Sequence, residues 1–167
     1  LPATTFNWQN ETLDFNTKNT ISTSFVSNDW SDVTLADVNG DGLSDIVGFN
    51  TGVYVSLAQD EGQSFSDKSQ WSADFTGNNW TQYSKRWIVD VNGDGKADVL
   101  GIDDNGTIKA AISSGTSFST ANWIKQDYFK GNNWSDGQYF ISDVNGDHKV
   151  DVIGINNDAV YVSLAGD

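Results

Sequence analysis

Three nine-residue segments carry oxygen-bearing side chains at matching positions: DVNGDGLSD at 37–45, DVNGDGKAD at 90–98 and DVNGDHKVD at 143–151. In the first, Asp37, Asn39, Asp41 and Asp45 stand at positions 1, 3, 5 and 9. Their equivalents are Asp90, Asn92, Asp94 and Asp98, then Asp143, Asn145, Asp147 and Asp151. A hard cation such as Ca²⁺ takes about six to eight oxygen ligands, at distances a short loop can span. The backbone carbonyl at position 7, from Leu43, Lys96 or Lys149, is the natural fifth donor. Bidentate contact or water would complete the shell. Gly40 and Gly42 allow the tight curve that turns alternate side chains inward.

An EF-hand would need a bidentate Glu at position 12 and flanking helices. Position 12 is Gly48, Gly101 and Gly154, and a strand-like run follows. The EF-hand and dockerin readings are therefore rejected. Asx-rich turns also form without metal, but three copies with the same ligand positions favour Ca²⁺, one per repeat and three per chain. His148, the single histidine, replaces glycine at position 6 of the third loop. It reads as a residue tolerated at positive φ, and the third site is expected to bind Ca²⁺ more weakly.

A second repeated feature pairs an amide or acid with an indole: Asp29-Trp30, Asn79-Trp80 and Asn133-Trp134. A sugar offers an apolar ring face edged by hydroxyls, so an aromatic platform beside donors and acceptors suits it. Tyr83, Arg86 and Tyr139 are further candidates for the same sites. The competing reading makes the recurring Trp residues core between repeats. Four N-x-[ST] sequons, at Asn10, Asn79, Asn105 and Asn133, are glycan acceptors if the source is eukaryotic. A glycan on Asn79 or Asn133 would block the proposed pockets.

No catalytic constellation is found. There is no Cys, no His partnered with a candidate Ser and no phosphate-cradling loop. The repeating carboxylates that a glycosidase could use are assigned to metal, so the chain is read as a non-enzyme.

The elements that position these residues follow from the spacing. Asp37, Asp90 and Asp143 lie 53 residues apart, a period typical of repeat architectures. FVSNDWS, FTGNNWT and FKGNNWS precede the loops; DIVGFNTGVYVSLA, DVLGIDDNGTIKAAIS and DVIGINNDAVYVSLA follow or close them. Short apolar runs meet Gly/Asn/Asp turns and return, which is a hairpin pattern. No window shows helical periodicity. The expectation is an all-β chain of three four-stranded repeats, approximately 1–60, 61–114 and 115–167, forming one domain. Four strands in about 53 residues is the size of a propeller blade.

Composition narrows the partners. Nine basic against 23 acidic residues give a net charge of −14, which argues against nucleic acid and anionic lipid. Nine of the acids lie in the three loops, so three divalent cations would offset nearly half of that charge. No run of about eighteen apolar residues could span a membrane. The N-terminal LPATTFNWQNET has no basic and apolar leader, so any signal peptide would already be removed. Seven Trp, five Tyr and nine Phe with abundant turn residues point to a secreted, extracellular all-β protein.

The DxNGDGxxD loops followed by an apolar strand and Gly resemble the FG-GAP/VCBS repeat, the blade unit of integrin α-subunit propellers and many secreted bacterial and fungal proteins. With F-x-x-N-[DN]-W upstream and G-V-Y-V-S-L downstream, the chain is most similar to the Psathyrella velutina lectin type. The resemblance implies a β-propeller stabilised by Ca²⁺, with sugars bound between adjacent blades. Such propellers have six or seven blades, and the middle repeat departs by reading IKAAIS where the others read VYVSLA. Three blades cannot close a ring. Two chains exchanging strands into a six-bladed homodimer, or a longer propeller, would resolve this. The expected function is a lectin binding glycans or glycoproteins. The alternatives are a protein-interaction or adhesion module, or the non-catalytic part of a larger secreted enzyme or toxin.

Overall fold

Val, Ile and aromatic runs broken by Asn, Asp and Gly favour short antiparallel strands over helices. The structure, a computed structural model, describes residues 22, 25, 30, 32–77, 80, 85–120, 138–156 and 159–166 of the chain. Among these residues there is no α-helix. Their one helical turn is a 3-10 segment at Asp60–Gly62.

The strands form three successive antiparallel sheets. The first contains β1 (Asp32–Ala36), β2 (Asp45–Phe49), β3 (Val53–Ser56) and β6 (Ser69–Ser72), hydrogen-bonded in that order. Two short strands, β4 (Ala58–Gln59) and β5 (Ser64–Phe65), pair beside it. The second sheet runs β7 (Lys85–Val89), β8 (Asp98–Ile102), β9 (Ile108–Ser113) and β10 (Phe118–Thr120). The third runs β11 (Gln138–Ser142), β12 (Asp151–Ile155) and β13 (Val160–Ser163). Four strands per repeat are thus present in two sheets, and three in the third among the described residues. The fourth strand of the first sheet, Ser69–Ser72, comes from the segment after residue 60.

Register repeats with the sequence. Each acidic loop joins the first two strands of its sheet, closing on the pairs Ala36↔Asp45, Val89↔Asp98 and Ser142↔Asp151. Side chains alternate across each strand, so the middle sheet has two apolar faces. One face, with Ile88, Val99 and Ala111, packs on Val47, Phe49, Val53 and Val55 of the first sheet. The other, with Leu100, Ile102, Ile108 and Ala110, packs on Val152, Tyr139, Ile141 and Tyr161 of the third. All five residues of β8 are buried as a result.

The acidic loops stack along one edge of this array. The Ala97 N–H in the second loop donates to the Asp37 carbonyl in the first at 2.7 Å. The Ser113 hydroxyl donates to the Val38 carbonyl.

Candidate functional site

Each loop folds around its first aspartate. The Asp37 carboxylate accepts the N–H groups of Gly40 (2.7 Å) and Asp41 (3.2 Å) on one oxygen and that of Gly42 (2.7 Å) on the other. Asn39 Oδ1 accepts from Asp41 N at 2.9 Å, and Asp41 Oδ1 from Leu43 N at 2.8 Å. Asp90, Asn92 and Asp94 repeat the pattern, with Asp94 receiving Lys96 N at 2.9 Å. Asp143, Asn145 and Asp147 do so again, with Asp147 receiving Lys149 N. In the third loop the residue bonded to Asp143 Oδ2 is His148, at 2.9 Å and with φ +66°. Gly42 and Gly95 hold the equivalent positions at +85° and +84°.

The ninth residue is used differently. Asp45, Asp98 and Asp151 are each 0% exposed. Asp45 accepts Val38 N at 3.0 Å and Ala58 N at 2.8 Å, one on each oxygen. Asp98 accepts Val91 N and Ser113 N at 3.0 and 2.7 Å. Asp151 accepts Val144 N and Ala165 N at 2.9 and 2.8 Å. The carboxylate therefore ties its own loop to the far end of the hairpin. Burial pushes the Asp98 carboxyl up to about 6, against the opposing pull of its two N–H donors. Burial likewise raises Asp45.

Three carboxylates and an amide oxygen per loop are the donor chemistry of a hard cation. Carboxylate oxygens can accept more than one partner, so donation to the backbone does not exhaust them. Among the described residues no three acidic or histidine side chains already converge as a metal group. The carboxylates meet backbone N–H groups instead, those of Asp41, Asp94 and Asp147 also accept from the Asn side chain two residues before, and Lys96 Nζ lies 3.0 Å from Asp94. The residues present fit such an ion by chemistry, with the position 1, 3, 5 and 9 side chains and the carbonyl of Leu43, Lys96 or Lys149 as the groups that would hold it.

The indoles lie on the sheets opposite the glycine at position 12. A Cβ on Gly48 would sit 2.8 Å from Trp30 and 2.6 Å from Phe25. One on Gly101 would sit 2.5 Å from Trp80. Phe25 and Phe75 pack against the two indoles at ring separations of 4.6 and 5.0 Å. Tyr54 meets Trp30 edge-on at 5.4 Å, and Lys68 Nζ lies 5.4 Å from the same ring. Both indoles are half-buried.

Arg86 closes the junction between the first and second sheets. Its guanidinium lies 5.3 Å from the Phe49 ring and 5.2 Å from the Trp80 ring. It donates to the carbonyls of Phe75 (2.9 Å) and Trp80 (3.1 Å) and to Asp32 (3.2 Å). With its side chain 8% exposed, Arg86 is part of the junction's frame. Burial lowers its pKa, and Asp32 opposes that. Tyr139 stands 53 residues later and packs half-buried against the core between the second and third sheets. Burial raises its phenol. Asp29, Asn79, Tyr83, Asn133 and Trp134 lie outside the described residues.

Asp32 and Phe49 are junction residues that the sequence reading passed over. The signal that could have found Asp32 is its separation of 54 from Arg86, close to one repeat period.

No family model and no curated protein matches the chain. Several solved structures do. A lectin of Agrocybe aegerita, described as recognising non-reducing terminal N-acetylglucosamine, is 30% identical with a TM-score of 0.68 over 79% of this chain and 34% of that chain. The chain therefore spans about a third of that lectin's length. TcdB2-TccC3 without its hypervariable C-terminal region is 21% identical, with a TM-score of 0.52 over 73% of this chain and 6% of that one. TcdB2-TccC3-Cdc42 gives 20% and 0.55 over the same shares. The last two are likenesses of fold alone, and the all-β antiparallel architecture is common ground with all three.

Proposed function

We propose that the chain is a carbohydrate-binding protein, a secreted lectin whose three repeats are FG-GAP/VCBS-type propeller blades held by Ca²⁺. The observation that carries this reading is its 30% identity and TM-score of 0.68 to a lectin described as recognising terminal N-acetylglucosamine. The geometry is consistent with it. Trp80 lies at the junction of the first and second sheets, where Arg86 spans from Phe49 to the indole.

The proposed sugar sites belong to the Asn/Asp-Trp segments, and of their indoles Trp80 stands at the junction of the first and second sheets. A half-buried indole supplies an apolar platform, and the neighbouring Asp29, Asn79 and Asn133 supply acceptors and donors for hydroxyls. Arg86 and Tyr139 act as positioning residues that hold the junctions in shape. Ca²⁺ in the loops at 37–45, 90–98 and 143–151 would supply positive charge that draws the carboxylates together and fixes the strand ends.

A glycan array with the folded protein in Ca²⁺ tests the reading. Binding to glycans ending in N-acetylglucosamine, competed by the free sugar and reduced by Trp80→Ala, is expected. Silence across the array from a protein that is folded by circular dichroism would overturn it and favour a protein partner.

A further inference from the structure

The described residues include eight large apolar side chains that are substantially exposed, and all eight lie on the two outer faces of the three-sheet array. Six are on the third sheet, its loop and the residue after β13: Phe140 48%, Val144 51%, Ile155 37%, Val160 62%, Val162 41% and Leu164 52%. Two are on the first strand of the first sheet: Val33 50% and Leu35 63%.

The repeat period identifies what each would touch. Val144 is the counterpart of Val38 and Val91, which are 0% and 1% exposed because the next repeat covers them. Ile155 corresponds to Phe49 and Ile102, each 2% exposed. Val160 corresponds to Val53 (0%) and Ile108 (6%), and Val162 to Val55 (1%) and Ala110 (0%). The third sheet thus carries the same outgoing face as the other two, with no following sheet on it among the described residues. On the incoming side, Val33 and Leu35 correspond to Arg86 and Ile88, and to Tyr139 and Ile141, which pack on the preceding sheet.

The loops agree. Lys96 lies over Gly40 of the preceding loop, where a Cβ would meet its Cγ at 3.0 Å. The residue equivalent to Lys96 in the first loop is Leu43, so the one apolar side chain at this position is the one with no preceding loop among the described residues.

We propose that a second copy of this chain covers these faces, the first sheet of one copy seating on the third sheet of the other as the second seats on the first. Stacked repeats need polar outer faces to remain soluble alone, and this array has apolar ones. The occupant is a second copy because the two exposed apolar faces are the halves of a junction that the chain already makes twice internally. Val33 and Leu35 would meet Ile155, Val160 and Val162, with Leu43 over Gly146. The Ser44 N–H would donate to the Asp143 carbonyl, as Ala97 does to Asp37. Two copies related by a twofold axis would form two such junctions at once, so both exposed faces are covered. The proposal stands whatever ligand the junctions bind.

Sedimentation equilibrium of the full chain in Ca²⁺ tests it, and the expected species has twice the chain's 18.2 kDa. Leu35→Asp and Val160→Asp change the most exposed residue of each face and are expected to leave monomers that are folded by circular dichroism. Mixing them should restore a doubled mass, since each retains the face that the other lacks. A wild-type monomer at about 100 µM, far above the micromolar affinities common for interfaces, would overturn the proposal whether or not the variants fold. So would a doubled species that Leu35→Asp leaves intact, because that would be a junction between two third sheets.

Discussion

Two aspartates of the same loop do unlike work, and their surroundings decide which. Asp90 accepts N–H groups at the exposed surface, where water could replace it; Asp98 accepts two N–H groups where water cannot. Burial dominates at Asp98 and raises its pKa from 3.8 to about 6. Between those values the folded chain holds a proton that the unfolded chain has released, so stability falls as pH rises through that window. The carboxylates with lowered values, Asp74, Asp94, Asp143 and Asp147, act in the opposite sense but below about pH 4. In chelator, stability measured by urea unfolding is therefore expected to drop by about 3 kcal/mol from pH 4 to pH 6. Asp98→Asn should flatten that slope, and a slope unchanged by the substitution would refute the assignment. Gly101 makes a separate point about size. A Cβ there would stand 2.5 Å from Trp80, so Gly101→Ala is expected to cost about 1–3 kcal/mol by overpacking, with a red shift in tryptophan emission as the indole is lifted.

At the scale of the element, the loop and its two strands form one unit, and much of it was legible in the sequence. The positions of Asp37, Asn39 and Asp41, the turn glycines and the hairpin that follows all rest on contacts within about a dozen residues. The role of Asp45 was not legible as a tie, because its second partner is the Ala58 N–H, and any residue but proline presents that group. The partners of Arg86 were not legible either, because Phe49 and Asp32 belong to the preceding repeat. Gly48 and Gly101 argued correctly against an EF-hand, but why glycine stands there depends on where the indoles fold back. His148 is the residue whose sequence reading and conformation coincide, with φ +66° where the other loops place glycine. A side chain in the left-handed region costs about 1–2 kcal/mol. His148→Gly is thus expected to tighten Ca²⁺ at the third loop by up to about tenfold, read by calorimetric titration. Equal affinities before and after would mean that strain at this position does not limit the site.

The whole molecule behaves as a short stack in which each sheet is stabilised by its neighbours. In such arrays stability is roughly a sum of repeat and interface contributions. Among the described residues the middle sheet has an interface on both faces and the outer sheets have one each. β8 is buried along its whole length, whereas Val160 and Val162 on β13 and Val33 and Leu35 on β1 face outwards. Amide hydrogen exchange should rank accordingly, with the slowest exchange in β8 and β9 and faster exchange in β1 and β13. The ranking also reads the state of the outer faces. If a second copy covers them, raising the chain concentration should slow β1 and β13 together while leaving β8 unchanged, because both halves of the new junction form in the same event. Slowing of β13 alone would place the contact between like faces. Slow exchange in β1 and β13 that does not vary with concentration would mean that something within the same chain covers them, and the stack would then be closed without a partner.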